Sequence, residues 1–431
     1  MAAMRSVLSV RRQRSGTVAL LCLFLVACAG SPTGSGPTPS PTAVPSTPAP
    51  TRTSQPTSTL TAAPTEQPAP APWAQVPTTT LPAALVQALT TNPNEGGHVF
   101  RVGAQFVVAD RGQLWASTDG LSWAMLGQLP GADGDVVNDI TTGGPGYVAV
   151  GWDGTGGAVW TSPDGATWTA ITDASVFNGN GLGHDINAVT DGPHGLVAVG
   201  GVGGPLFATG PFILASAQAA GQAAVWTSPD GRTWHKVPDE ASFAQGEMDD
   251  VAAGGPGYVA VSRGAECGGP CPGTAGPLVW TSVDGRTWHL VDARHAIHPS
   301  GPASATVVAA EPGSLVVAAS SGPARAWWSS DAGVHWTGSP IGPDVTDVAG
   351  LTNVGGKGFL AVASGIWGSA DGRTWVSLSS IPPDDSVVSL SSVACTAERC
   401  VATGWENAAG TSGGIATGTY EIWIGPARVG S

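Results

Sequence analysis

Basic residues are scarce in this chain. Lys occurs only as Lys236 and Lys357, Lys and Arg together number 17 against 31 Asp and Glu, and the formal net charge is −14 over 431 residues. Gripping a phosphate backbone or an anionic lipid surface needs clustered cations, so this balance argues against both nucleic acid and a basic membrane patch. Long apolar runs are missing too. The stretch Val18 to Ala27 falls well short of the ~20 residues that a membrane-spanning helix needs. Beyond it, no segment shows a convincing helical period. Tyr is nearly absent, at three residues. No His or second Cys pair lies near either close cysteine pair, and no spacing matches a calcium loop, so neither a metal nor a cofactor is expected.

What the chain has in abundance is Gly (62), Pro (36) and Trp (17), the last at near-regular intervals. Six Trp–Trp pairs frame one turn. Val159-Trp160-Thr161-Ser162-Pro163-Asp164-Gly165-Ala166-Thr167-Trp168 is the clearest copy. Val225 to Trp234 and Val279 to Trp288 repeat it almost letter for letter, Leu114 to Trp123 and Ile366 to Trp375 more loosely, and Ala326 to Trp336 is one residue longer. The aspartates of the turns are Asp119, Asp164, Asp230, Asp284, Asp331 and Asp371, about 40 to 66 residues apart. A period of that size means repetition of a small structural unit.

The unit reads as four strands. In residues 136–171, Val136 to Thr142, Tyr147 to Gly151, Ala158 to Ser162 and Thr167 to Ile171 are β-branched or aromatic runs separated by Gly, Pro and Asp. About seven four-stranded antiparallel units predict an all-β fold, a seven-bladed β-propeller whose radial closure hides most sheet edges. The last unit, 387–426, stops after a third strand with Trp423 at the Trp160 position. Trp73-Ala74-Gln75-Val76-Pro77 has no upstream partners, yet looks like Trp234-His235-Lys236-Val237-Pro238. Residues 73–76 are therefore expected to supply the missing outer strand and zip the termini together. A six-bladed ring with irregular ends is the structural competitor. The propeller is expected over 73–426, with 427–431 as a tail.

The six turns resemble the Asp boxes (BNR-like repeats) of bacterial sialidases, sortilin-type receptors and photosystem assembly propellers, over residues 110–378. The resemblance implies that each box sits between the third and fourth strands, with Asp and Ser capping backbone N–H groups and Trp packed between blades. Asp119, Asp164, Asp230, Asp284, Asp331 and Asp371 are then structural, on the face opposite the usual ligand site.

Segments expected on the ligand face differ between blades. Blade two ends its second strand with Trp152-Asp153, and blade seven ends its own with Trp405-Glu406-Asn407. Blade three carries an insertion, roughly 201–222, with Phe207, Phe212 and Ile213; blade four carries the Cys267–Cys271 loop with Arg263 and Glu266. An exposed aromatic beside a carboxylate suits sugar stacking, and a Trp covering the base of a loop is the plainer alternative. The inner strands start with Asn138-Asp139, His184-Asp185, Asp249-Asp250, Asp344 with Asp347, and Asp384-Asp385. Together they would make a negative funnel for a cation or polycationic ligand; solvated, turn-capping Asp is the alternative.

The sialidase resemblance implies an Arg triad, a Tyr–Glu nucleophile pair and an acid Asp. Phe100-Arg101-Val102-Gly103 is only faintly similar to the first-blade Phe-Arg-Ile-Pro motif and lacks its Pro. Arg111, Arg263 and Arg325 fall near ligand-face loops. Tyr147 and Tyr258 occupy a second-strand position filled elsewhere by Phe106, Leu196, Leu315 and Phe359, which makes them core residues. Tyr420-Glu421 lies in a third strand, away from the axis. No catalytic set is expected.

Arg5, Arg11, Arg12 and Arg14 precede the short apolar run, which ends in Leu25-Val26-Ala27-Cys28. This resembles a bacterial lipobox, implying a signal peptide over 1–27 and acylation of Cys28. Residues 28–72 are nearly all Pro, Thr, Ser, Ala and Gly, too polar to bury a core, and read as a disordered stalk. In an exported protein, Cys267–Cys271 and Cys395–Cys400 are expected to form disulfides. The expectation is a monomeric, non-catalytic binding or scaffold propeller. It would be lipid-anchored outside the cytoplasm, with an unknown glycan or protein ligand. A diverged sialidase-like hydrolase and an assembly factor for a membrane complex are the alternatives.

Overall fold

In a computed structural model, the chain is described from 73 to 430, apart from 91–96, 132–134, 178–183, 203–221, 265–274, 292–296, 298–305, 321–322, 381–386 and 408–417. The leader, Cys28 and the stalk lie outside the described residues, as do Glu266, Cys267, Cys271, the blade-three aromatics and Asp384-Asp385. No helix among the described residues is long and apolar enough to cross a membrane.

Seven four-stranded antiparallel sheets make a seven-bladed β-propeller. Blade 2 is typical, with strands Val136–Gly143, Gly146–Trp152, Gly157–Ser162 and Thr169–Ile171. The core is shared out between blades. Val148 and Val150 pack toward blade 3, while Ala149 between them packs toward blade 1. Period-two alternation with both faces buried explains why second strands read as unbroken apolar runs. Each Trp pair points toward the preceding blade: Trp160 and Trp168 into the blade 1 interface, Trp226 and Trp234 into that of blade 2, Trp280 and Trp288 into that of blade 3.

Ring closure follows the expected zipper. Strand Ala74–Gln75 pairs with the last strand, Gly418–Pro426, through Ala74 opposite Ile424 and Gln75 opposite Trp423. The Val76 N–H donates to the Ile422 carbonyl at 2.7 Å, and Gln75 Nε2 donates to Glu421 Oε1 at 2.5 Å. Trp73 and Trp423 fill the blade 6–7 interface as the seventh Trp pair, joined there by Ala427 and Val429 of the C-terminal segment. Cys395 and Cys400 face each other across the first hairpin of blade 7 and are disulfide-bonded.

The helix Ala83–Thr90 is a correction, since no helical segment was expected. Leu81, Leu85 and Leu89 recur every four residues and are buried against Val99, Phe106 and Ile422 between blades 7 and 1. Eight residues without a charge are marginal as an isolated helix, so packing on the ring decides their conformation. A second, four-residue turn of helix, Ala174–Phe177, follows blade 2. Asp173 caps it, its Oδ1 accepting the Ser175 N–H at 3.1 Å.

Candidate ligand face

The two ends of the blades differ in kind. Antiparallel connectivity places the turns between strands three and four at one end. The loops between strands two and three gather at the other, beside the starts of the inner strands. At the first end the Asp turns share one geometry. In blade 2, Ser162 Oγ accepts the Gly165 N–H at 2.8 Å, and Asp164 Oδ1 accepts the N–H groups of Ala166 (2.9 Å) and Thr167 (2.8 Å). Trp168 Nε1 donates to the Gly165 carbonyl at 2.6 Å. Gly165 sits at φ +77°, where a side chain would be strained.

These bonds stabilise the ionised carboxylate. Backbone N–H donors first, then the Ser of the same turn, hold Asp119, Asp164, Asp230 and Asp284 below the usual range. Asp331, with the His335 N–H and ring beside it, falls to about 2. Burial opposes the effect at Asp371, where the Thr374 and Arg373 N–H groups outweigh it. That sixth turn is looser. Trp375 Nε1 has no partner among the described residues, and the Arg373 guanidinium lies 3.4 Å over the Trp328 ring.

At the other end, the expected acidic funnel divides. Asp139 Oδ1 accepts the Ile140 N–H (2.7 Å) and Oδ2 accepts the Val189 N–H of blade 3 (2.9 Å). Asp250 does the same with Val251 (2.8 Å) and Val308 of blade 5 (2.9 Å). Both carboxylates thus stitch one inner strand to the next. Burial raises them despite these donors, Asp139 to about 6 and Asp250, which also feels Asp139, to about 7. Asp185 is half-buried and also raised by burial, while Asp344 and Asp347 are exposed.

The stitching also uses Asn138, named above beside Asp139, and three residues that sequence reasoning passed over, Asn187, Ser392 and Ser320. Asn138 and Asn187 occupy bulges in their strands, and their amides donate to the Ile186 and Met248 carbonyls of the next blade, both at 2.9 Å. Ser392 Oγ accepts the Val99 N–H and Ser320 Oγ the Val348 N–H, each at 2.7 Å. A bulge re-aims the extra side chain along the ring. The signal was a polar residue within a first strand at Asn138, Asn187 and Ser392, whereas Ser320 directly follows blade 5's second strand, Ser314–Ala319.

Trp405 corrects the expectation of an exposed aromatic. It is only 7% exposed, packed between blades 7 and 1 with its ring edge-on to Tyr420 at 5.6 Å. Trp152 is half-buried at the end of its strand, opposite Gly157. Arg263 and Glu406 lie on strands Gly257–Gly264 and Arg399–Asn407. Arg111 is exposed in the loop between blade 1's second and third strands, at φ +43°. Arg325 opens a blade 5 strand. Tyr420 is buried; its hydroxyl donates to the Gly97 carbonyl, and burial pushes its pKa far up. Tyr258 donates to the Gly195 carbonyl at 2.8 Å and accepts the His194 N–H at 3.0 Å. Tyr147 is half-buried beside Trp168.

A cavity of about 370 Å³ opens at this end of blade 2. Its apolar wall includes Val159, Trp160, Ile171 and Phe177, and Asp135, Asp153 and Asp173 carry its charge. Asp153 Oδ1 ties down the loop by accepting the Thr155 and Gly156 N–H groups at 2.9 and 3.1 Å. Asp135 is 2% exposed, and its Oδ1 has no hydrogen-bond partner among the described residues. Burial, then the charge of Asp153, raises its pKa. Among the described residues no three His, Cys, Asp or Glu side chains are grouped to hold a metal ion.

No protein-family model matches the chain, and no curated protein matches it. Solved structures of similar architecture do. YCF48 from Cyanidioschyzon merolae is 14% identical, with 82% of this chain and 99% of that one covered at a TM-score of 0.48. YCF48 bound to a D1 peptide is 13% identical, covering 83% and 97% at 0.49. Trypanosoma rangeli sialidase in complex with the inhibitor DANA is 13% identical, covering 82% and 59% at 0.39.

Proposed function

We propose that this chain is a non-catalytic, extracytoplasmic binding or scaffold propeller, anchored to a membrane by lipid on Cys28. Its partner, a protein or a glycan, would dock on the face opposite the Asp boxes. One observation carries the non-catalytic part. Tyr420 and Glu421, the only Tyr-Glu pair in the chain, are both committed to the fold: the Tyr hydroxyl to the Gly97 carbonyl, the Glu to Gln75 and, at 3.0 Å, to Trp423 Nε1. Glycoside hydrolysis needs a nucleophile within reach of the anomeric carbon. A side chain holding the ring shut inside an interface is not free for that. Binding needs only a shaped, partly apolar hollow with a few polar groups, which the blade 2 cavity supplies.

The full chain is expected to release no fluorophore from a fluorogenic sialoside. Turnover that disappears in Tyr420→Phe, with the variant still folded, would overturn the non-catalytic reading in favour of a diverged hydrolase. The anchor has its own test: radiolabelled palmitate should enter the wild type and not Cys28→Ser, and equal labelling of both would remove the lipid.

A further inference from the structure

We propose that the blade 2 cavity receives one cationic side chain of a protein partner, a guanidinium or ammonium group carried on an aliphatic stem. The proposal deepens the binding reading above and rests on it. Three features point to this occupant. Among the described residues the cavity's side chains bear three carboxylates and no Lys, Arg or His, so their charge has one sign. Asp135, in its wall, is buried with one carboxylate oxygen unpartnered among the described residues, and burying an uncompensated charge is costly. A cation entering the cavity meets that oxygen and removes the cost. Thr155 and Thr172 also line it, but Val159, Trp160, Ala170, Ile171 and Phe177 give it an apolar side, which suits the methylene stem of a long basic side chain.

Size and chemistry separate the alternatives. The cavity lies at the small end of the ~300–1,000 Å³ range of ligand sites, room for a side chain rather than an oligosaccharide. A bare metal ion would want several oxygens around one point, and no such grouping occurs among the described residues. Gly131 forms part of the wall, and a Cβ there would fall 1.9 Å from Asp135 Oδ2, so the missing side chain makes space for the carboxylate. The net charge of −14 would steer a basic partner toward the surface before the cavity selects one side chain.

The test uses n-butylguanidinium as probe and n-butylurea as its neutral isostere, read by saturation-transfer NMR on the full chain. The expected result is saturable binding of the guanidinium in the millimolar range, little signal from the urea, and at least tenfold weaker binding in Asp135→Asn. Glu398→Gln, an exposed carboxylate in the first hairpin of blade 7 at the opposite end of the blades, should bind as the wild type does. Asp135→Asn removes a buried charge and should melt no lower than the wild type. Should it fail to fold, Gly131→Ala decides, since it keeps the charge but displaces it, and it too should weaken binding. Undiminished binding in the decisive variant, equal binding of urea, or displacement by sub-millimolar calcium chloride would each overturn the proposal. The probe needs no protein partner, so failure here removes this occupant and leaves the binding propeller to its own tests.

Discussion

Asp164, on the turn face, and Asp139, on an inner strand, accept nearly the same hydrogen bonds. Each takes two backbone N–H groups, at 2.8 and 2.9 Å for Asp164 and at 2.7 and 2.9 Å for Asp139. Yet Asp164 is made a stronger acid and Asp139 a weaker one, raised to about 6. Asp164 also accepts the Ser162 hydroxyl at 3.1 Å, but one extra neutral donor does not account for shifts of opposite sign. Water solvates the turn, and the donors there add to an already stable anion. Between blades the same donors fall short of the lost hydration, and burial wins. One residue type thus serves the two faces of the ring at opposite electrostatic cost.

Opening the ring would break both faces at once and is expected to have the largest effect. Deleting 73–76 removes Trp73, 7% exposed, and Val76, 1% exposed, and strips Glu421 of its Gln75 partner. It also bares the edge of Gly418–Pro426. The loss should be roughly 5 kcal/mol or more in denaturant unfolding. Next is Trp405→Ala, which should cost about 3–5 kcal/mol as a buried Trp truncation. A near-neutral result would return Trp405 to the ligand surface.

Asp250→Ala sharpens the electrostatic half of the comparison. A carboxylate raised from 3.8 to about 7 in the folded state binds its proton more tightly there than in the unfolded chain. Its contribution to stability is therefore fully present below pH 4 and is lost as pH climbs through 7. At about 1.4 kcal/mol per pKa unit, the loss is on the order of 2–4 kcal/mol. The variant lacks this dependence and leaves the Val251 and Val308 N–H groups uncapped. Its deficit against the wild type should be wider at pH 5 than at pH 8. A deficit that grows with pH would show Asp250 to be ionised and stabilising.

How much of this could be read from residues alone follows the same divide. The turn face was legible because its chemistry is local: Ser, Asp, Gly and Trp act within seven residues, eight in one copy, and recur six times. Blade number and the closing strand were legible because Trp73-Ala74-Gln75-Val76 matches an internal copy. The opposite face was not. Trp405 and Trp152 have the same neighbours in sequence, an acidic residue next in line, and only the packing of Tyr420 against Trp405 separates buried from half-buried. Asp135 gave no signal, since its burial depends on a blade 1 to blade 2 connection meeting a loop of blade 2. The helix Ala83–Thr90 escaped because its apolar positions are stabilised by two blades rather than by its own propensity.

The smallest of these effects belongs to the turn face. Asp119 Oδ1 accepts the N–H groups of Leu121 at 2.8 Å and Ser122 at 2.7 Å, and the Ser117 hydroxyl at 3.0 Å. Asp119→Ala removes those acceptors, but the freed N–H groups are exposed and water can take them up in part. The cost should be about 1–3 kcal/mol, toward the lower end. Its pH dependence is opposite in sign to that of Asp250. A depressed pKa makes the wild-type contribution present above the unfolded value of 3.8 and lost as pH falls below it. Between pH 5 and pH 8 the gap in melting temperature should therefore stay constant, where that of Asp250→Ala narrows. Parallel profiles for the two variants would mean that the faces do not differ in the way their hydrogen bonds and burial imply.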